Sequence, residues 1–175
     1  MAVSRLFLAP GASGSIDRLA PHVTGLASRG LRTELVVLPR GTAERAVPAY
    51  REALVGTSIG EVAIGGHSFG GRVASLLAAD QRPAALVLLS YPLHAPGRPE
   101  AWDVRTAHWP RIGCPVLLLS GASDPFARMD LLRQAVHRLP DAKLVTYPRV
   151  GHGLGAVLDP TLDEIAAFLA GCGKA

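Results

Sequence analysis

The sequence lacks the features that mark membrane, secreted and metal-binding proteins. No apolar run approaches the ~18 residues that a membrane-spanning helix needs. The first residues have neither the long apolar core nor the processing site of a signal peptide. The only two cysteines, Cys114 and Cys172, form no CxxC pair and belong to no ligand cluster. We therefore expect a reduced, cytoplasmic protein with no membrane contact and no cysteine-based metal site.

Positive charge is in excess but is not concentrated. The chain has 18 Lys and Arg against 14 Asp and Glu, which gives a net charge of +4. The arginines stand singly among Ala, Leu and Asp, and no basic stripe with interleaved aromatic residues is present. Dispersed arginines of this kind are typical of solvated helix faces. We therefore expect no nucleic-acid partner.

The length and the apolar pattern predict one domain over residues 1–175. A chain of 175 residues can bury a sizeable core, and apolar strands alternate with amphipathic helices along it. The predicted strands are 3–9, 33–38, 61–65, 84–90, 115–120 and 142–147. Strands that alternate with helices predict an α/β fold with a doubly wound, mostly parallel six-stranded sheet. In such sheets ligands bind beyond the carboxyl ends of the strands, so the residues that follow each strand are the candidates for chemistry.

Prolines mark the predicted starts of two helices. Residues 40–46 are interpreted as a loop, after which Pro48 suits the first turn of a helix. Near the end of the chain, Asp159 and Pro160 are interpreted as the N-cap and a first-turn proline of the last helix.

Ser68 is the central residue of a Gly-x-Ser-x-Gly pattern in the run Gly65-Gly66-His67-Ser68-Phe69-Gly70-Gly71. A buried strand ends just before the run, and apolar residues at helical spacing follow it. This context indicates a nucleophile elbow, a strained turn that exposes the serine at the top of the sheet. The competing interpretation is an ordinary Gly-rich turn with a solvent-facing serine.

An acid and a histidine follow later strands in the order that would activate this serine. Asp124 comes after the fifth predicted strand, and His152 comes after the last one. A serine needs a base to take its proton, and the base needs a carboxylate to orient it. Taken singly, Asp124 could be a turn residue and His152 a solvated loop residue. Their combination with Ser68 favours a catalytic triad.

Backbone amides near Ser68 are candidates for an oxyanion hole. The N–H of Phe69 follows the serine directly, and the N–H of Ala12 lies in the loop after the first strand. The alternative is a phosphate-binding turn, but no P-loop lysine follows. Pro39 also stands where a dinucleotide site would need an acid.

The stretch from 91 to 113 leaves the fourth strand beside the predicted site. We expect it to line one wall of the substrate pocket, with Tyr91 and His94 as candidate substrate-binding residues. The stretch is too short for the large helical lid that many lipases carry.

With these motifs placed, the sequence resembles the α/β-hydrolase superfamily over nearly its whole length. It looks most like the small, lidless group that includes testis-expressed protein thirty and the hydrolase-like part of NSL-complex subunit three. The resemblance is carried by Gly66-His67-Ser68-Phe69-Gly70-Gly71-Arg72-Val73-Ala74, by Leu89-Ser90-Tyr91-Pro92-Leu93-His94 with Pro96-Gly97, and by Leu119-Ser120-Gly121 with Asp124-Pro125-Phe126. Where that group usually has a histidine before the oxyanion glycine, this chain has Pro10.

The resemblance implies a minimal hydrolase fold in which Ser68, Asp124 and His152 act as nucleophile, acid and base. The expected function is hydrolysis of a small ester or thioester without a cofactor or metal. Because some relatives work as binding or scaffold proteins, a non-catalytic interaction module is the alternative function.

Overall fold

The computed structural model describes residues 2–172. Within this range six strands form one sheet in the order β2-β1-β3-β4-β5-β6, and every neighbouring pair is parallel. The strands are β1 (Arg5–Ala9), β2 (Arg32–Leu35), β3 (Ala63–His67), β4 (Ala85–Leu89), β5 (Val116–Gly121) and β6 (Ala142–Tyr147). The predicted six-stranded α/β fold is confirmed. Of the predicted domain, Met1 and residues 173–175 lie outside the described residues.

Helices cover both faces of the sheet, as expected for a doubly wound fold. They are α1 (Ala20–Ala27), α2 (Ala43–Ala53), α3 (Phe69–Asp80), α4 (Trp102–Thr106), α5 (Met129–Val136) and α6 (Leu158–Gly171). One apolar core lies between the sheet and helices α2, α3 and α5. A second core lies between the opposite face and helices α1 and α6.

The central strand β4 shows how one strand serves both cores. Leu86 and Leu88 face the α2–α3 side, whereas Val87 and Leu89 face the α1–α6 side. All four side chains are fully buried. Because successive side chains of a strand point to opposite faces, a strand buried on both faces needs an unbroken apolar run.

Helix α2 begins earlier than its proline predicts. It starts at Ala43, and the Thr42 side chain caps it by accepting a hydrogen bond from the Arg45 N–H at 3.4 Å. Pro48 therefore lies inside the helix, and the predicted loop over residues 40–46 is wrong at its end.

Contacts with distant strands hold α2 against the sheet two residues after this proline. The Tyr50 side chain is fully buried, and its hydroxyl lies 2.8 Å from the carbonyl oxygens of both Phe7 and Gly65. The same hydroxyl accepts a hydrogen bond from the Gly65 N–H at 3.0 Å. These tertiary bonds link α2 to β1 and β3, and they offset the hydrogen bond that an internal proline removes.

The start of α6 also differs from its prediction. The helix begins at Leu158, the residue before it is Val157, and no side chain caps it. Asp159 is a residue of the first turn instead of the N-cap, and its carboxylate pairs with Arg29 of the α1 end at 3.4 Å. Acidic residues are favourable in a first helical turn because of the helix dipole, which is why this position resembles a cap in sequence.

The remaining strand and helix boundaries shift by a few residues. The third strand begins at Ala63 because Ile59–Glu61 form a short 3₁₀ turn, and β2 ends at Leu35. A 3₁₀ turn over Ile16–Leu19 directly precedes α1. Residues 91–113 contain only the five-residue helix α4 and two further 3₁₀ turns, so this segment has no large lid.

Candidate active site

The three residues of the predicted triad meet at the carboxyl end of the sheet. Ser68 follows β3, Asp124 follows β5, and His152 follows β6. The His152 Nε2 atom lies 2.8 Å from Ser68 Oγ, and its Nδ1 atom lies 2.8 Å from Asp124 Oδ2. Because a carboxylate only accepts hydrogen bonds, Nδ1 carries the proton and donates it to Asp124. In the neutral ring Nε2 is then the acceptor for the Ser68 hydroxyl.

The turn that holds Ser68 is strained and closely packed. Ser68 has φ 51° and ψ −114°, a conformation that residues other than glycine rarely adopt. A Cβ atom on Gly66 would lie 2.3 Å from the Gly70 carbonyl carbon, and one on Gly70 would lie 2.4 Å from the Ala9 carbonyl oxygen. The Ser68 N–H donates to the Leu89 carbonyl at 2.8 Å. The turn therefore requires both glycines and is fixed to the neighbouring strand.

The loops that carry the acid and the histidine are joined to each other. Asp124 is 5% exposed, and its Oδ1 atom accepts the Phe126 N–H at 2.8 Å while Oδ2 faces His152. The Ser123 N–H donates to the Val150 carbonyl at 2.9 Å. These bonds fix both oxygens of the carboxylate and hold the two loops at one separation.

Two candidate oxyanion amides border Ser68. Ala12 lies in a turn that the Gly14 N–H closes by donating to the Gly11 carbonyl at 3.0 Å. A Cβ atom on Gly11 would lie 3.7 Å from Ser68 Cβ, so this loop passes beside the serine. The Phe69 N–H is the first amide of α3, and the first amides of a helix have no partner within it.

A cavity of about 470 Å³ opens beside Ser68. Residues of the segments 10–22 and 152–158 form most of its wall, and His67 and Phe126 complete it. The cavity therefore lies on the β1 side of the serine, between the loop after β1 and the loop after β6.

The segment 91–113 does not line this cavity, which corrects the prediction that it forms a wall. Tyr91 is 2% exposed, and its hydroxyl donates to the Arg105 carbonyl at 2.7 Å. Its ring packs edge-on against Trp109 with 5.0 Å between centroids, and burial raises the pKa of Tyr91. Tyr91 thus fills the space on the β4 side of the serine instead of facing the cavity.

His94 lies behind the loop that carries Asp124 and does not line the cavity either. It is 3% exposed, and its Nδ1–H donates to the Ala95 carbonyl at 2.9 Å. Its backbone N–H donates to the Phe126 carbonyl, and its Nε2 atom accepts the Arg128 N–H, both at 3.0 Å. His94 therefore holds the segment after Asp124 at two points.

Two rings that the sequence analysis passed over flank His152. The His67 Nε2–H donates to the His152 carbonyl at 3.1 Å, with 5.3 Å between the ring centroids. The Phe126 ring lies 4.5 Å from the His152 ring. Burial lowers the pKa of His67, so its ring is neutral near pH 7. The signal for both rings was present, since His67 precedes Ser68 and Phe126 follows Asp124 by two positions.

His22, a residue of α1, also lines the cavity. Burial, with a smaller contribution from His67, lowers the pKa of His22 to about 4. Within residues 2–172 its buried Nδ1 atom has no hydrogen-bond partner. Helical position alone could not show that α1 presents this residue to the cavity.

The described part of the chain shows neither a membrane-spanning helix nor a cluster of metal ligands. Across residues 2–172, no helix combines the length and the apolar character that crossing a bilayer requires. In the same part of the chain, no group of three or more His, Cys, Asp or Glu side chains is arranged to hold a metal ion. Cys114 and Cys172 are both buried, and burial raises the pKa of each thiol.

A parallel sheet with a serine on a strained strand-to-helix turn, followed in chain order by an acid and a histidine, defines the α/β-hydrolase class. A family model described as an alpha/beta hydrolase domain matches residues 41–156, which is more than half of the chain. The chain belongs to the α/β-hydrolase family. A search of the curated proteins finds no match.

Solved structures of hydrolases are similar to this fold at low sequence identity. The monoacylglycerol lipase of Paleococcus ferrophilus aligns with a TM-score of 0.81 at 14% identity, over 95% of this chain and 93% of that one. Est1E of Butyrivibrio proteoclasticus with bound ferulic acid aligns with a TM-score of 0.75 at 19% identity, over 94% and 87%. The thioesterase domain of the curacin biosynthetic pathway aligns with a TM-score of 0.74 at 13% identity, over 94% and 90%. Identities this low establish the shared fold.

Proposed function

We propose that the protein is a serine hydrolase that cleaves a small carboxylic ester or thioester through an acyl-enzyme. The observation that carries the proposal is the hydrogen-bonded row from Asp124 through His152 to Ser68, with 2.8 Å at each step, beside an open cavity. A serine hydroxyl in such a row has both a base within reach and a carboxylate that fixes the tautomer of the base.

In the acylation step, Ser68 Oγ attacks the carbonyl carbon of the substrate while its proton moves to His152 Nε2. The carbonyl oxygen becomes negatively charged and accepts hydrogen bonds from the Phe69 and Ala12 amides. Asp124 keeps the Nδ1–H of His152 in place and stabilises the charged ring. When the carbon–oxygen or carbon–sulfur bond breaks, His152 gives its proton to the leaving alkoxide or thiolate.

Deacylation repeats these steps with water as the nucleophile. His152 takes a proton from the water, whose oxygen attacks the acyl carbon, and the same two amides hold the second oxyanion. Collapse of this intermediate returns the proton to Ser68 Oγ and releases the carboxylic acid. Every bond that forms or breaks belongs to the substrate, water or these side chains, so the proposed reaction needs no cofactor or metal.

The cavity beside Ser68 suits a small substrate better than a large one. The cavity is about 470 Å³, near the lower end of the usual range for ligand pockets. The segment between β4 and β5 carries only the short helix α4. The shortness of this segment favours membership of the small, lidless group that the sequence resembles. We also propose that the enzyme is cytoplasmic and has no nucleic-acid partner.

Intact-mass analysis after incubation with a fluorophosphonate tests the proposal. The native chain should gain one adduct, and the Ser68→Ala and His152→Ala variants should gain none, because labelling needs both the nucleophile and its base. Ser13→Ala is the matched control, since Ser13 lines the same cavity but does not belong to the hydrogen-bonded row from Asp124 to Ser68. Absence of an adduct on folded native protein would refute the hydrolase and favour a non-catalytic binding or scaffold protein.

A further inference from the structure

We propose that the substrate carries a carboxylate several carbons away from its ester or thioester bond, and that Arg18 binds this carboxylate. The inference rests on the proposed hydrolase function for the reacting bond. Binding of the charged group does not depend on turnover, so the carboxylate inference and the proposed hydrolase function can fail separately.

The side chains that line the cavity have no negative charge. Outside the triad, the polar side chains on the wall are Arg18, His22, His67, Ser13 and Ser15. Among residues 2–172, no Asp or Glu lines the cavity, and Asp124 lies behind His152 with 5% exposure. Outside the triad, the guanidinium of Arg18 is therefore the one permanently charged group on the wall within these residues.

Arg18 forms no ion pair within residues 2–172. Other arginines of the same region are paired: Arg29, just after α1, contacts Asp163 at 2.7 Å and Asp159 at 3.4 Å. Asp17 is adjacent to Arg18 in sequence but neither pairs with it nor lines the cavity. An unpaired guanidinium at the edge of a cavity keeps all its donors available for a ligand, and a carboxylate matches them in a bidentate geometry.

The rest of the wall is suited to hydrocarbon. Leu19, Pro21, Leu154, Leu158 and Phe126 line the same cavity as Ser68 and Arg18. An apolar chain can therefore run from the ester carbonyl at Ser68 toward Arg18 and bury its methylene groups on the way. This combination distinguishes a substrate with a charged end from a simple fatty acyl ester.

The two histidines add no competing charge. Burial lowers the pKa of His67, and the positive charge of Arg18 contributes to that shift. The pKa of His22 is about 4, so both rings are neutral at pH 7. The negative charge of Asp124 also acts at His67 and raises its pKa, but within residues 2–172 no carboxylate lines the wall to compete with a bound anion for Arg18.

A pair of esters that differ only in this charge tests the inference. The 4-nitrophenyl half-ester of adipic acid has a free carboxylate, and the 4-nitrophenyl ester of monomethyl adipate has the same chain without the charge. We expect kcat/KM to be about tenfold higher for the charged ester, as for a charge-assisted hydrogen bond. The preference should weaken in high salt because Arg18 is exposed.

The Arg18→Gln variant should abolish the preference, because kcat/KM for the charged ester should fall to the value that the same variant shows for the methyl ester. Arg51→Gln is the matched control, because Arg51 is also exposed and unpaired within the described residues but belongs to α2, on the other face of the sheet. A second ester pair with the carboxylate on the leaving phenol shows which half of the substrate carries the charge. Equal kcat/KM within both pairs, or a preference that survives Arg18→Gln, would overturn the inference.

Binding measurements separate this inference from the proposed function. In the Ser68→Ala background, titration calorimetry should detect adipate monomethyl ester binding that Arg18→Gln weakens about tenfold. If the native chain reacts with the fluorophosphonate but shows no charge preference, the hydrolase stands and the carboxylate inference fails. If binding through Arg18 is found without fluorophosphonate labelling, the hydrolase fails and the anion site stands.

Discussion

Of the two segments that flank the Ser68 turn, one borders an open cavity and the other is filled by its own side chains. The segment after β1, residues 10–22, is rich in small residues and borders the open cavity. The segment after β4, residues 91–113, carries aromatic side chains that pack inward, with Tyr91 and Trp109 both buried. The comparison shows that nearness to the strained serine in sequence and topology does not make a segment part of the pocket. Side-chain volume decides which side stays open.

The polar side chains of the two segments also differ in their partners. On the β4 side, the ring nitrogens of His94 and the hydroxyl of Tyr91 are bound to backbone groups, although the buried Nε1 atom of Trp109 has no partner within residues 2–172. On the β1 side, the buried Nδ1 atom of His22 has no partner within residues 2–172, and Arg18 has no ion pair there. We interpret the first side as a support for the acid loop and the second as the side that meets the substrate.

Replacement of Asp124 by Asn should have the largest effect on activity. An amide cannot hold the His152 tautomer that leaves Nε2 free to accept the Ser68 proton, so kcat should fall about 10⁴-fold. Steady-state kinetics measures this, with Asp163→Asn as a control because Asp163 pairs with Arg29 away from the cavity. A fall of less than tenfold would contradict the proposed role of Asp124.

Removing a buried ring from the segment after β4 should reduce the stability of the protein but not its binding of substrate. Trp109 is fully buried, and Trp109→Ala should lower the free energy of unfolding by roughly 3–5 kcal/mol through lost burial and a cavity. Val104→Ala in the same segment is the control, since Val104 is 76% exposed. Denaturant unfolding gives the stability. A large rise in KM for the folded variant would show that this side does contact substrate.

His94 should act on activity through the acid loop. His94→Leu removes the acceptor for the Arg128 N–H, and the resulting shift of Asp124 should lower kcat about ten- to hundredfold with little change in KM. His94→Gln, whose amide oxygen can still accept that bond, should keep most of the activity. A higher KM at constant kcat would instead restore the prediction that His94 touches the substrate.

A buried histidine in the segment after β4 should also make the stability of the protein depend on pH. His108 is buried with its Nε2 atom 2.8 Å from Ser75 Oγ, and burial lowers its pKa from 6.5 to about 4. Between these values the unfolded chain binds the proton and the folded chain does not. This contribution to stability is therefore complete above pH 6.5 and is lost as the pH falls toward 4.

Unfolding measured from pH 7 to pH 4 checks this prediction. His108→Gln should reduce the pH slope of the unfolding free energy by about one proton, or about 1.4 kcal/mol per pH unit. The slope should not vanish, because the pKa of His22 is lowered in the same direction. An unchanged slope in the variant would mean that His108 is charged in the folded protein.

Narrowing the cavity beside Ser68 should have the smallest effect on activity. It should raise KM, and only for longer substrates. Gly155 lines the cavity, and a Cβ atom there would meet no other atom within 4 Å. Gly155→Leu should raise KM for hexanoate esters by about tenfold or less and leave acetate esters unaffected. Gly171→Leu, also with free space but outside the cavity, is the control. Equal effects on both esters would place the acyl chain elsewhere.

The sheet was predictable, as was the meeting of the three candidate triad residues at its edge, because local patterns determine the strands and their ends. Unbroken apolar runs identify buried parallel strands, and the carboxyl ends of those strands bring Ser68, Asp124 and His152 to one edge. The roles of these three residues remain proposals, as do those of the Ala12 and Phe69 amides.

The missed features depend on contacts between residues far apart in the chain. Pro48 lies inside α2, a helix that the Tyr50 hydroxyl joins to Phe7 and Gly65, and no local pattern encodes those bonds. The side on which the cavity opens was also missed, since it depends on which of two segments fills its space with aromatic rings. Arg18 stood out only once its place on the cavity wall was known.

The left-handed turn at Ser68 matters for laboratory evolution of this protein. Glycine adopts such a turn without strain, so Ser68→Gly removes a backbone penalty of about 1–3 kcal/mol. A library sorted only for heat resistance would therefore enrich a variant that has lost its proposed nucleophile. Sorting for turnover before heat challenge keeps the serine and directs stabilising substitutions to positions where they do not compete with it.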